Sequence, residues 1–254
     1  NEVMDARARH ERILETDLRL AVVREEFELR FQPQIDSRNG ALLGAEALVR
    51  WRRPDGRLVM PSEFVWHAEK TGIINDIGEH VLKVACQEAR RWRDAGMQPF
   101  PIAVNVSPRQ FSTNNFVRVI ENALASAAID SEWLELEVTE NVALDTSAHM
   151  IETFERVKSL GVGIAIDDFG TGFASLAYLR KIPLRKLKID RSLVSNITKP
   201  GPDKAITEAI ISLGESLKFI SIAEGVETDR QADAIRLTAC SGMQGFLFSH
   251  PLSA

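Results

Sequence analysis

From Phe27 onward the chain alternates short strand-like runs with longer stretches of helical period, and this alternation narrows its possible folds more than any other feature. The runs are FELRFQPQI, ALLGAEALVRW, PIAVNVS, WLELEVTE, GIAIDDF, LRKLKID, KFISIAE and GMQGFLF. Between most of them apolar residues recur at helical steps. Ile77, Val81, Ala85 and Ala89 form one face, Met150, Phe154 and Val157 a second, and Ile206, Ile210, Leu213 and Leu217 a third. Only the turn sequence SRNG, at 37–40, separates the first two runs; it is too short for a helical crossover, so these strands are expected to pair antiparallel. Eight strands with helices between the later ones predict an α/β fold, a TIM-like (β/α)8 barrel with an antiparallel first strand. Ahead of it, Leu14, Leu18 and Ala21 in a charge-rich segment predict an amphipathic N-terminal helix. The expected division is a linker or signalling helix at 1–26 and a barrel at 27–254.

In such a barrel the chemistry sits at the carboxyl ends of the strands. Read toward the strand ends, nearly every strand delivers polar groups: Glu46 and Arg50, Asn105, Glu137 with Glu140, Asp167 with Asp168, Lys188, Glu224 with Glu227, and Gln244. Singly, each has an ordinary alternative, with Asn105 and Asp168 as helix caps and Lys188 as a solvated strand end. Together they point to a site, because carboxylates inside apolar runs such as IAID, LELE and SIAE are costly unless paired or metal-bound. Acids ringing one mouth repel one another without cations. Hard oxygen donors suit Mg²⁺ or Mn²⁺, and two adjacent aspartates can address two ions, with Lys188 holding water. The constellation favours metal-assisted hydrolysis of a phosphoester.

Other classes fit less well. The histidines His10, His67, His80, His149 and His250 do not follow the strands, which argues against a zinc site, and there is no G-x-S-x-G elbow. A formal charge of −5 offers no broad basic face for a nucleic-acid polymer. Cys86 and Cys240 lack CxxC spacing and fit a reducing, cytoplasmic setting. No apolar run approaches the ~20 residues of a membrane span. A start at Asn1 fits a segment of a longer protein, whose other parts could carry a membrane anchor.

These residues stand in motifs that resemble the EAL-domain cyclic-di-GMP phosphodiesterases of bacterial signalling. They are EALVR at 46–50, FQPQ at 31–34, VNVSPRQF at 104–111, ELEVTE at 135–140, DDFGTGFASL at 167–176, LKIDRSLV at 187–194, IAEGVET at 222–228 and QGFLFSHPL at 244–252. The resemblance spans about residues 27–252. It implies that Glu46, Asn105, Glu137 and Asp167 hold one metal ion, and Asp167 with Asp168 a second. It implies that Lys188 and Glu224 hold the hydrolytic water, with Lys188 as general base. Glu140 is expected to position the loop after the aspartates, and Gln32, Arg50 and Gln244 to meet the substrate. The implied reaction opens one phosphodiester of cyclic di-GMP to give linear pGpG. The resemblance also implies a homodimer, with the DDFGTGFASL loop linking its interface to the metals; the N-terminal helix is expected to carry a signal from an upstream sensor or GGDEF domain.

FQP for the frequent Tyr-Gln-Pro, SHPL for Ser-Arg-Pro-Leu, and His80 for a usual Trp depart from the family pattern, and none of these is an expected ligand. Three rival readings remain: a non-catalytic cyclic-di-GMP receptor, an EAL domain inactive until an upstream domain switches it on, and a Schiff-base aldolase using Lys188.

Overall fold

Strand β1 (Phe27–Asp36) turns at residues 37–40 into β2 (Leu42–Arg52), and the two pair antiparallel with Phe27 opposite Trp51 and Gln32 opposite Glu46. The expected first hairpin is therefore present. The computed structural model describes residues 2–172, 179 and 182–254, with 2–10 as helical backbone. Residues 173–176, the end of the DDFGTGFASL motif, lie outside the described residues.

The remaining strands are β3 (Leu58–Val59), β4 (Ile102–Val106), β5 (Leu134–Thr139), β6 (Gly163–Phe169), β7 (Lys186–Ile189), β8 (Ile220–Ala223) and β9 (Gly242–Met243). Their order is β1-β9-β8-β7-β6-β5-β4-β2-β3, and the β1–β2 pairing closes the ring. β3 is a short hairpin addition to β2, so eight strands form the barrel. β1 is antiparallel to both neighbours, while β2 and β4–β9 run parallel to one another.

The described helices are α1 (Glu2–Val23), α2 (Pro61–Thr71), α3 (Ile74–Asp94), α4 (Pro108–Phe111), α5 (Phe116–Ala127), α6 (Glu140–Leu144), α7 (Ala148–Ser159), α8 (Arg191–Val194), α9 (Pro202–Leu217) and α10 (Asp229–Arg236). None is long and apolar enough to cross a membrane among the described residues.

Strand alternation explains where the core sits. Leu134, Leu136 and Val138 of β5, and Leu187 and Ile189 of β7, join the buried apolar layers with helix residues such as Val81, Phe154 and Ile210. Fully burying such a side chain stabilises by about 1.5–3 kcal/mol. The alternate positions, Glu135, Glu137, Lys186 and Lys188, are equally buried yet bond to one another inside the barrel. The interior is therefore polar where the apolar layer is outside it.

Leu18 and Ala21 of α1 are fully buried in this apolar layer, and Asp17 pairs with Arg53 at 2.6 Å. Two expectations need correction. The third helical face is rotated: Ile210 is buried as expected and Leu213 packs on the core, but Ile206 is exposed and α9 also buries Thr207, Ile211 and Gly214, because a threonine and a glycine permit an approach that large apolar residues do not mark. The last strand is shorter than GMQGFLF. After Met243 the chain leaves the sheet to pack on the segment after β8, with Val226 N–H donating to Gln244 O at 3.0 Å and Leu247 N–H to Val226 O at 3.0 Å.

Candidate active site

Alternation alone would send Asp167 and Asp168 to opposite faces of β6. The strand avoids this with a bulge. Ile166 pairs with Leu187 and Phe169 with Ile189, so the two aspartates together oppose the single residue Lys188. Asp168 takes the left-handed conformation, φ 53°, that makes the bulge possible. Gly170 follows at φ 101°.

Lys188 is the centre of the site. Its Nζ lies 2.7 Å from Glu224 Oε1, 2.8 Å from Glu137 Oε2, 3.0 Å from Asp167 Oδ1 and 3.2 Å from Glu46 Oε2. With the side chain 1% exposed, it is no solvated strand end. Asn105 is not a helix cap either, since Ser107 caps α4. Asn105 Nδ2 instead donates to Glu46 Oε1 at 2.7 Å, which leaves its own carbonyl oxygen for another partner.

The charges do not balance. Four carboxylates around one buried ammonium, with the exposed Asp168 beside them, leave an excess of negative charge at the mouth of the barrel. Burial, then repulsion from Glu46, pushes Glu137 well above the usual carboxylate range. Burial pushes Glu224 up to about 8, although Lys188 opposes it. Asp168 rises to about 6 through burial and the charge of Asp167. Glu46 goes the other way: burial disfavours its charge, but Lys188, Gln244 and Asn105 outweigh it. Burial likewise disfavours the Lys188 ammonium, and the surrounding carboxylates outweigh that cost and hold it charged. Lys188 is thus a hydrogen-bond donor in this arrangement.

The residues fit divalent cations. Oxygens of Asp167, Asp168 and Glu224 lie within 4.8 Å of one another. Glu137 Oε1 is buried without a hydrogen bond. All donors are hard oxygens, with no sulfur or imidazole among them. Glu224, expected to hold water, stands with the two aspartates as a further candidate ligand.

Two clefts flank the ring. Glu46, Asp167, Lys188, Glu224, Gln32 and Gln244 line one of about 230 Å³, whose wall also includes Phe246. Asn105 and Glu137 line the second, about 550 Å³, which runs along apolar α2 and α3 residues including Val65, Trp66 and Ile77. Gln32 and Gln244 have their amides engaged by protein: Gln32 donates to Ser249 O at 3.0 Å, and Gln244 donates to Glu46 Oε2 at 2.6 Å. Arg50 is buried and donates to Val49 O at 2.8 Å. Glu140 opens α6 with both oxygens buried and unbonded among the described residues, against Gly172. Glu227 makes no contact with Lys188 but lines the smaller cleft, paired to Arg191 at 2.8 Å.

Sequence reasoning missed Gln34, Glu135 and Lys186, which form a second polar layer beneath the ring. The signal was available. Glu135 and Lys186 each stand two residues before a ring member, and side chains two apart on a strand share a face.

The EAL domain family matches residues 15–251. MucR of Pseudomonas aeruginosa, described as a bifunctional diguanylate cyclase/cyclic di-GMP phosphodiesterase, is 41% identical over 251 residues, which are 99% of this chain and 37% of MucR. NbdA of the same organism, a cyclic di-GMP phosphodiesterase, is 39% identical over 97% of this chain and 31% of its own. The chain therefore spans about a third of these curated relatives. The solved MucR phosphodiesterase in complex with c-di-GMP has a TM-score of 0.90 at 41% identity, covering 95% of this chain and 98% of that one.

Proposed function

This chain belongs to the EAL-domain family, and from that premise we propose that it hydrolyses cyclic di-GMP to linear pGpG with two divalent cations, Mg²⁺ or Mn²⁺. The observation that carries the reading is the Lys188-centred ring, whose carboxylates outnumber the one ammonium among them. Glu46, Asn105, Glu137 and Asp167 would hold one ion, and Asp167 with Asp168 the second. When bound, such ions supply positive charge that makes water more acidic and offsets charge on phosphate oxygens. Lys188 Nζ, donating toward Glu224 Oε1 at 2.7 Å, orients the attacking water, and Glu224 accepts its hydrogen bond.

The clefts support a substrate with two bases. Ligand pockets usually enclose about 300–1,000 Å³, so the smaller cleft alone is short of a dinucleotide. The ring lies between the two, where a phosphodiester flanked by purines would place its phosphorus. Phe246 on the wall of the smaller cleft offers a face for stacking, and the family resemblance gives Arg50 to a phosphate. Glu140 beneath Gly172 would hold the loop that follows the aspartates.

We extend the proposal to a homodimer in the cytoplasm, controlled by a sensor or GGDEF domain through α1. Support for the control through α1 comes from the bifunctional description of MucR and from the seating of Leu18 and Ala21 on the barrel. Activity that stays constant as any dimer dissociates would count against that control.

The direct test is chromatography of products from cyclic di-GMP with Mg²⁺, alongside an EDTA control and Asp167→Asn. Release of pGpG in the first sample alone supports the reading. Binding without pGpG makes the protein a receptor, and turnover that survives EDTA removes the metals.

A further inference from the structure

Beneath the ring lies a polar layer that the proposed reaction does not use. Lys186 and Glu135 are ion-paired at the barrel centre with side chains 2% and 0% exposed. Desolvation largely offsets the attraction of such a pair, so stability alone is a weak reason for it. Lys186 Nζ also donates to Gln34 Oε1 at 2.8 Å. Gln34 Nε2 donates to Gln244 Oε1 at 3.1 Å, and Gln244 Nε2 donates to Glu46 Oε2 at 2.6 Å. The layer is therefore wired to the ring.

This chain of bonds has one direction. An ammonium has only donors, so it faces the carbonyl end of the Gln34 amide. That leaves the Gln34 NH₂ group to meet Gln244, which answers with its carbonyl. The Gln244 NH₂ group is then aimed at Glu46, where a carbonyl would repel the carboxylate. Amide ends are assigned from their network, and both ends of this network are unambiguous charges. Two amides run head to tail between them.

The geometry points to Lys186, Gln34 and Gln244 as a positioning relay, in which Lys186 sets the polarity of two amides and so fixes the Glu46 carboxylate for metal binding. Asn105 holds the other Glu46 oxygen at 2.7 Å, so the acid is gripped from both sides. The inference rests on the proposed metal-dependent reading, in which Glu46 is a ligand. It gives Gln244 a task through Glu46 rather than at the substrate.

Two variants test it. Gln34→Glu keeps the size and an acceptor for Lys186 but has no donor for Gln244, whose NH₂ is then drawn away from Glu46. The double variant Lys186→Met/Glu135→Gln removes both buried charges together, leaving neither unpaired, and frees the Gln34 amide to turn. Calorimetry measures Mn²⁺ binding by the purified metal-free proteins, and circular dichroism checks their fold. Loss of an outer partner typically costs about 10- to 100-fold in metal affinity, and that loss is expected for both variants, with turnover of cyclic di-GMP recovering as Mn²⁺ is raised. Folded variants with lower melting temperatures but unchanged Mn²⁺ affinity would overturn the relay. A second measurement uses the unmodified protein: the side-chain NH₂ protons of Gln34 and Gln244 should exchange slowly by NMR, and rapid exchange of either overturns the relay even if both variants unfold. If the unmodified protein takes up no Mn²⁺, the proposed function fails and this inference goes with it.

Discussion

Lys188 Nζ lies 2.7 Å from Glu224 Oε1, the shortest of its four carboxylate contacts in the ring. Removing one partner of a buried charge group leaves the rest uncompensated, which costs about 3–5 kcal/mol. Lys188→Met is therefore expected to lower the melting temperature of the metal-free protein, with Mg²⁺ restoring much of the loss. Turnover should fall further than substrate affinity, seen as a drop in kcat with little change in KM. Equal melting temperatures for the variant and the parent would mean that Lys188 does not hold the ring.

Glu224 and Asp168 set an unusual dependence on pH. Their folded-state values are raised, from 4.5 to about 8 and from 3.8 to about 6. A raised carboxyl favours the protonated fold, so its contribution is complete below the ordinary value and is lost as pH climbs through the raised one. Glu137 acts in the same direction. Denaturant unfolding of the metal-free protein should thus show falling stability from about pH 4.5 to about pH 8. Mg²⁺ should reverse the slope, because ligands must lose protons to bind it. Glu46, whose value is lowered, contributes the opposite sign only on the acid side of this window.

The barrel was legible because its strands alternate so strictly. In LELEV and KLKI the apolar residues face the helices and the charged ones face inward, so one pattern announces both the core and the site. The ring members Glu46, Asn105, Glu137, Asp167, Lys188 and Glu224 could be read by following that pattern to the strand ends. Other features depend on contacts that no local pattern carries. The bulge at Asp167 and Asp168 appears only in the register against Lys188. The end of β9 is decided by Val226, a partner about twenty residues away. On α9, Thr207 and Gly214 face inward while Ile206 does not, because close approach selected small residues over apolar ones.

Asp168 separates stability from activity. Its left-handed backbone costs a residue with a Cβ about 1–2 kcal/mol, a strain that glycine does not bear. Its carboxyl is also raised to about 6 by burial and by Asp167. Asp168→Gly is expected to raise the melting temperature of the metal-free protein at pH 7 while abolishing most turnover and weakening Mn²⁺ binding. Asp168→Asn, which relieves the charge but not the backbone strain, should lose turnover with a smaller gain. A destabilised glycine variant would show that the bulge is held by the carboxylate.

Glu140 and Gly172 test how the loop is held. A Cβ on Gly172 would lie 2.7 Å from Glu140 Oε1 and 3.0 Å from its Cδ, so the absence of a side chain there lets the loop settle on the acid. Both Glu140 oxygens are buried, and no metal-ring residue bonds to them among the described residues. Glu140→Ala should therefore lower turnover by loosening the loop, with Mn²⁺ affinity falling less than in Asp167→Asn. Gly172→Ala should lower it by pushing the loop off the same acid. If one contact explains both effects, Gly172→Ala should do little in a Glu140→Ala background, since the clash is gone. The cycle of kcat/KM values should then show a coupling of about 0.5–3 kcal/mol, the range for residues in contact. Additive effects would mean that the two residues act separately, and full activity in Glu140→Ala would remove the positioning role.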